Sequence, residues 1–334
     1  MKISTLKQIK PVSWLLLSIT VLTNCAIPKT TQRYAICSKY NTSGGAEDIV
    51  IDTLTNASAP RIITSCADYA NKGTTNAIQA IELTTKRVHS FVRINEPANM
   101  PFKPHGIDLS RFNDSLFLYV INHENETQTS ILTYYIKDTI LLLTKRYTSP
   151  LLISPNDISV NNKQELYVTN DRSRKYNTLG VLLKLKKGTV VKISNDICTV
   201  FSTGYCYANG IISCDSGVYI STVRLNKLFF VKYNSGIYKK QVVAKFKGQD
   251  NITFSNNKLY VTSHQKQIKF LRHAKNQAII SPSVVYEIDL ATKHKRVIYS
   301  NSGKQISAAT TALMFRNKLY LSQLFIPFVL EVSN

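Results

Sequence analysis

The chain has 334 residues, 44% hydrophobic and 10% aromatic, and a formal net charge of +22. That composition excludes a disordered chain, and the length suits one large or two ordinary domains. Apolar stripes at helical spacing are scarce while short runs of Val, Ile, Leu, Tyr and Thr recur, the pattern of an all-β protein.

Residues 1–24 read as an export signal peptide. Lys2, Lys7 and Lys10 form a basic start, and Trp14 to Thr23 supply an apolar stretch too short for a stable bilayer anchor. It ends in Leu22-Thr23-Asn24-Cys25, similar to the lipobox at which bacterial signal cleavage leaves a lipidated cysteine. Asn24 departs from the small residue usual there, so ordinary cleavage with a secreted product stays an alternative, as does an uncleaved anchor. The remainder, 25–334, is expected outside the cytoplasm, as a periplasmic or outer-membrane lipoprotein held through Cys25 or as a secreted protein.

Apart from Cys25 the cysteines are Cys37, Cys66, Cys198, Cys206 and Cys214, an odd set that demands at least one free or intermolecular thiol. No Cys/His spacing suggests zinc, and core thiols with one or two disulfides are expected. Subtracting the three signal lysines from +22 leaves about +19. These charges are scattered, as at Lys184, Lys186, Lys187 and Lys239, Lys240, Lys245, so no nucleic-acid partner is expected. A solvated surface accounts for them; anionic lipid or polysaccharide is the partner an exported basic surface would meet.

Internal repetition sets the architecture. A Leu-Tyr-Val-Thr-like strand recurs around Tyr119, Tyr167, Tyr219, Tyr260 and Tyr320, with a weaker copy at Arg61-Ile62-Ile63-Thr64. A period of roughly 50 residues with several strands per unit means propeller blades. Residues 77–87 match residues 284–294 as strand, polar hairpin and return strand, the outer half of a four-stranded blade. Six copies predict one six-bladed β-propeller filling 25–334, with four-stranded blades around a central channel. Glycine is scarce, and Asn pairs such as Asn161-Asn162 and Asn256-Asn257 are expected to supply left-handed turn positions instead.

Five segments at blade spacing place polar residues just before apolar strands: Gly45-Ala46-Glu47-Asp48, Pro104-His105-Gly106-Ile107, Pro155-Asn156-Asp157-Ile158, Tyr207-Ala208-Asn209-Gly210 and Gln249-Asp250-Asn251-Ile252. Calcium takes six to eight hard oxygens from mixed carboxylates and amides, which such residues converging from different blades would supply.

In their order and spacing these segments resemble the paraoxonase family of calcium-dependent lactonases and arylesterases, with gluconolactonase and regucalcin-type propellers as more distant relatives. The resemblance runs from Glu47 almost to the C-terminus. It implies two calcium ions: a catalytic one on Glu47, Asn156, Asn209, Asp250 and Asn251, and a structural one on Asp48, Asp157 and the backbone oxygen of Ile107. It also implies that His105 and His123 form the family's histidine pair, that His264 matches a further family histidine, and that Tyr69, Asp171, Tyr207, His264 and Thr310 line the substrate pocket. Three departures stand out. The family joins an N-terminal cysteine to one in the last strand; Cys37 fits the first, but no cysteine follows Cys214, so ring closure must rest on strand pairing. Arg172 replaces a pocket histidine, and the loop near Tyr69 is shortened.

The function implied is hydrolysis of small-molecule lactones and aryl esters. Calcium would polarise the carbonyl, His105 would take a proton from water and His123 would orient it, with Asp250 as an alternative base or nucleophile. No Gly-x-Ser-x-Gly elbow supports a serine esterase. The rival readings are a non-catalytic, calcium-stabilised surface propeller that binds a protein or glycan partner, and a sugar-lactone hydrolase.

Overall fold

Paired left-handed residues turn the chain at its hairpins: Asn113 and Asp114, Asn195 and Asp196, Asn256 and Asn257, Arg316 and Asn317 all have positive φ. Two consecutive such residues make the tight turn whose twist matches the flanking strands, and Asn and Asp tolerate it where glycine is scarce. Asn161-Asn162 turns differently from expectation. There the Asn161 carboxamide oxygen accepts from the Lys163 and Glu165 amides, and Gln164 takes the positive φ.

A computed structural model describes residues 26–70, 73–173, 180–181, 183–234 and 237–334; residues 1–24, read above as a signal peptide, and Cys25 lie outside them. The described strands are almost wholly antiparallel. Strand β1 (Ala35–Asn41) is followed by a first meander of β2 (Gly45–Asp52), β3 (Arg61–Ala67), β4 (Ala77–Glu82) and β5 (Val88–Ser90). The second comprises β6 (Val92–Ile94), β7 (Pro104–Phe112), β8 (Ser115–His123), β9 (Thr129–Lys137) and β10 (Ile140–Tyr147), with β6 added parallel to β10. The third is β11 (Pro155–Val160), β12 (Leu166–Asn170), β13 (Gly188–Ser194) and β14 (Ile197–Tyr205). The fourth is β15 (Ala208–Cys214), β16 (Gly217–Thr222), β17 (Lys227–Asn234) and β18 (Ile237–Lys245). In the fifth, β19 (Gln249–Ser255) and β20 (Lys258–Ser263) precede helix α1 (Gln267–Lys275), then β21 (Ser283–Asp289) and β22 (Lys295–Asn301). The last meander, β23 (Ala309–Phe315), β24 (Lys318–Gln323) and β25 (Phe328–Ser333), gains β1 as its outer strand.

This is a propeller-like arrangement of four-stranded blades. The innermost strands β2, β7, β11, β15, β19 and β23 touch in that order, and β23 returns to β2. Side chains of a strand alternate between its faces, which explains the repeated Leu-Tyr-Val motif. Leu118 and Val120 pack with Ile63 and Ile78 of the blade before, while Tyr119 packs with Ile158 and Val168 of the blade after. Tyr167, Tyr219, Tyr260 and Tyr320 reach forward in the same way. The blades are therefore glued by buried apolar wedges.

The ring is closed by backbone pairing of β1 with β25. Across that seam the Cys37 thiol lies 3.0 Å from the Ser333 hydroxyl, so a serine in the last strand faces the N-terminal cysteine. Disulfides expected from the cysteine count do not form among the described residues: Cys37, Cys66, Cys198, Cys206 and Cys214 are all free thiols. Burial pushes the Cys66 thiol up to about 12, which leaves it an inert core group.

Candidate active site

The polar residues singled out from sequence lie inside the innermost strands, at one recurring irregularity. Each innermost strand shifts register once against its partner. The residues skipped are Glu47, His105-Gly106, Asn156-Asp157, Asn209-Gly210, Asp250-Asn251 and Thr310-Thr311. A bulge re-aims side chains out of the regular pleat, so six bulges at one height converge on the axis. Two glycines allow the bulges to touch. A Cβ on Gly106 would stand 2.7 Å from the Asn156 oxygen and the Asp157 Cα; one on Gly210 would stand 2.6 Å from the Ile252 nitrogen.

At the centre, Glu47, Asn156, Asn209, Asp250 and Asn251 are all buried. Four of their oxygens, Glu47 Oε2, Asn156 Oδ1, Asn209 Oδ1 and Asn251 Oδ1, have no hydrogen-bond partner. One unsatisfied buried oxygen costs about 1–3 kcal/mol, so four at one spot call for a ligand. Hard, mainly neutral oxygen donors with one or two carboxylates suit calcium rather than zinc. Among the described residues no three His, Cys, Asp or Glu side chains gather as a metal site, and amides supply most of these donors. Burial, followed by the charges of Asp48, Asp157 and Asp250, holds the Glu47 carboxyl well above the usual range, as expected where a cation is needed to keep it ionised.

Just beneath, three aspartates tie successive blades together. The Ile107 amide donates to Asp48 Oδ2 at 2.9 Å, the Val160 amide to Asp108 Oδ2 at 2.8 Å and the Ile211 amide to Asp157 Oδ2 at 2.8 Å. Burial raises Asp48 to about 7, Asp108 to about 6 and Asp157 well above the usual range. The second ion implied for Asp48, Asp157 and Ile107 fits less well. Both oxygens of each carboxylate already accept hydrogen bonds, Oδ1 of Asp48 from Ile49 and Thr311 and Oδ1 of Asp157 from Ile158.

A cavity of about 1080 Å³ opens onto Glu47, Asn156, Asn209 and Asp250. It is also lined by Tyr69, His105, His123, Asp171, Tyr207 and Thr310, so the residues assigned to pocket and base share one wall system. Tyr207 holds a left-handed φ of 58°, rare for an aromatic residue and a form of strain that clusters at functional sites. Thr310 is tied to the ring by donating to the Glu47 backbone oxygen at 2.6 Å. Asn251 sits behind the wall, and so does His264, which was expected in the pocket but is held against Asp250 and Phe270 instead. His264 Nε2 lies 2.6 Å from Asp250 Oδ2, and its ring stacks on Phe270 of α1 with centroids 4.3 Å apart.

His105 is oriented by a different group than expected. His123 packs edge-on against it with ring centroids 5.1 Å apart, but its hydrogen-bond partner is Tyr69, whose Oη lies 2.6 Å from Nδ1. The same hydroxyl lies 2.7 Å from the Pro104 carbonyl, which can only accept. Tyr69 has one proton and gives it to Pro104, so His105 Nδ1 must donate and Nε2 keeps a bare lone pair. That lone pair lies 3.9 Å from Glu47 Oε1, beside the oxygen cluster. Burial first, then the charges of His123, Lys103 and Arg172, hold His105 well below its ordinary value. Burial with Lys103 and Arg172 brings His123 down to about 4. Both imidazoles are neutral at pH 7.

Three participants escaped sequence reasoning. Thr311 binds both Asp48 and Asn251. It belongs to the sixth innermost strand, whose Ala309-Thr310-Thr311-Ala312 carries no acid or amide; its position nine residues before Tyr320, like Asn251 before Tyr260, was the available signal. Asp108 hides one strand position below Ile107, and Lys103 lines the cavity without belonging to a motif.

The chain is similar to known proteins in sequence and in fold. The chain is 28% identical over 238 residues to mouse serum paraoxonase/arylesterase 1, spanning 67% of this chain and just under two thirds, 66%, of that protein. It is 25% identical over 236 residues to human serum paraoxonase/lactonase 3, covering 67% of each. A gluconolactonase from Xanthomonas campestris shares the fold at a TM-score of 0.57 and 12% identity, covering 88% of this chain and 87% of that one. The arylesterase family profile matches residues 65–328, most of the chain, and the protein belongs to that family.

Proposed function

We propose that the chain is a calcium-dependent hydrolase of lactones and aryl esters, exported and held at a membrane through Cys25. The observation that carries the catalytic reading is the set of four unpartnered buried oxygens, three of them on residues that line the cavity, beside an unprotonated His105 nitrogen. Glu47, Asn156, Asn209, Asp250 and Asn251 would hold the ion. Bound there, calcium would polarise an ester carbonyl and stabilise the negative charge that develops on its oxygen.

The chain's own groups supply the rest. His105 Nε2 accepts a proton as water attacks the carbonyl, and Nδ1–H stays anchored on Tyr69 throughout. His123, neutral and packed edge-on, fixes the ring and excludes water on that side. Asp250 is the weaker base, because His264 already engages Oδ2. Tyr69, Tyr207 and Phe270 offer the apolar walls a lactone ring or aryl group would contact.

The test is hydrolysis of a lactone and phenyl-ester panel with and without chelator. Activity lost in chelator and restored by calcium is expected, together with a roughly 10²–10⁴-fold loss in His105→Gln, the usual worth of a general base. Full lactonase activity in His105→Gln, with loss in Asp250→Asn at saturating calcium, would move the base to Asp250. For the anchor, wild type should partition with membranes and Cys25→Ser should not.

A further inference from the structure

We infer that the cavity contains an anion subsite, formed by Arg172 and Lys103, that receives a carboxylate carried by the substrate away from the scissile ester. The inference rests on the hydrolase reading and adds a substrate class to it.

The charges lining the cavity are not equivalent once their partners are counted. Glu47 and Asp250 belong to the oxygen cluster. Glu124 is neutralised by Arg146, whose guanidinium donates to both of its oxygens at 2.8 and 2.9 Å, and it also accepts from Ser130 at 2.6 Å. Glu126 is exposed at the rim. Asp171 is paired with Arg172. Two cations remain. Lys103 makes no ion pair among the described residues, and its ammonium lies 5.3 Å from the Tyr69 ring centroid. Arg172 uses Nε on Asp171 Oδ1 at 3.1 Å and Ser154 Oγ at 3.2 Å. Its two terminal nitrogens make no hydrogen bond among the described residues, and its side chain is 42% exposed.

The placement matters as much as the count. Both cations line the same cavity as His105, His123, Glu47 and Asp250. A substrate whose scissile carbonyl sits at His105 therefore shares its walls with both charges. Asp171 and Ser154 clamp one edge of the guanidinium, which leaves the opposite edge preset for bidentate contact with a carboxylate. A neutral lactone would gain nothing from these charges. An acyl chain ending in a carboxylate would bridge the ester site and the Arg172 edge.

The experiment compares phenyl hydrogen glutarate with phenyl pentanoate on the calcium-loaded full chain. Wild type is expected to favour the glutarate ester in kcat/KM, and higher ionic strength should shrink that preference. Arg172→Gln and Lys103→Gln should each lower the ratio about fivefold, the scale of a partly exposed charge pair, while Arg172→Lys restores part of it. Calorimetric titration with free glutarate reads the subsite without turnover and should weaken by a similar factor in each Gln variant. If neither ester is hydrolysed, the hydrolase reading fails and the titration alone decides the subsite. Glutarate preference and affinity that survive both Gln substitutions would place the carboxylate elsewhere, on the metal for instance, and overturn the inference.

Discussion

The Asn251 side chain donates to Glu47 Oε1 at 3.1 Å and to Thr311 Oγ1 at 2.8 Å, which consumes both of its N–H protons. Its carbonyl oxygen is thereby fixed as the free end, ready to serve as a hard ligand. Thr311 never touches the cluster of free oxygens, yet it sets the orientation of one of them. Thr311→Val should weaken calcium binding about tenfold, the lower range for loss of a group that orients a ligand, while leaving the apolar packing intact. Calorimetric titration with calcium checks this; unchanged affinity would mean that Glu47 alone orients Asn251.

The pH dependence of stability should invert when calcium is removed. Asp48 and Asp108 have folded values raised to about 7 and about 6, and Glu47 and Asp157 are raised well beyond the usual range. A raised carboxyl favours the folded state most when protonated, so its contribution is complete below about pH 4 and fades as pH climbs through the folded value. The metal-free protein should therefore melt at a higher temperature at pH 5 than at pH 8. Calcium binding adds mass-action stabilisation that grows as the carboxylates ionise, so the loaded protein should be at least as stable at pH 8 as at pH 5. Parallel melting curves at both pH values, with and without chelator, decide it.

Much of this site was legible because propeller repetition and bulge chemistry both leave marks in sequence. The Tyr119, Tyr167, Tyr219, Tyr260 and Tyr320 strands repeat because each must wedge against the next blade. Glu47, Asn156, Asn209, Asp250 and Asn251 stand out because charged and amide residues rarely enter a strand buried on all sides. The expected strand boundaries were off by a few residues because the polar residues are part of the strands, held in by bulges. Thr311 was missed since a threonine is ordinary in a strand. The Tyr69–His105 bond was missed because it joins residues 36 apart through the fold rather than through a motif.

That bond predicts a kinetic signature. Tyr69→Phe keeps the aromatic wall and removes the hydroxyl that fixes the His105 tautomer. A fraction of imidazoles would then carry the proton on Nε2 and be unable to act as base. A roughly tenfold fall in kcat with little change in KM is expected, as for loss of an interaction that matters only in the chemical step. An equal fall in kcat/KM through KM alone would make Tyr69 a substrate contact instead. Since burial depresses His105 and His123, activity should also persist well below pH 6.5 on the acid side of the profile.

The seam of the ring offers the last prediction. Cys37 in β1 and Ser333 in β25 face each other at 3.0 Å, across 296 residues of chain. Ser333→Cys places a second thiol where a bond of about 2.05 Å needs only a small approach of the two side chains. Cross-linking so long a loop restricts the unfolded chain strongly, and about 2–4 kcal/mol of stabilisation is the usual yield. For a chain of this size that corresponds to a rise of roughly 3–6 °C in Tm. The gain should appear in the oxidised variant, vanish with reductant, and be missing in Cys37→Ser/Ser333→Cys. The bond would also pin the ring at the one blade built from both ends of the chain, so unfolding should slow more than refolding accelerates. An oxidised variant with a cross-link by mass spectrometry but an unchanged Tm would show that this seam opens after, not before, the blades part.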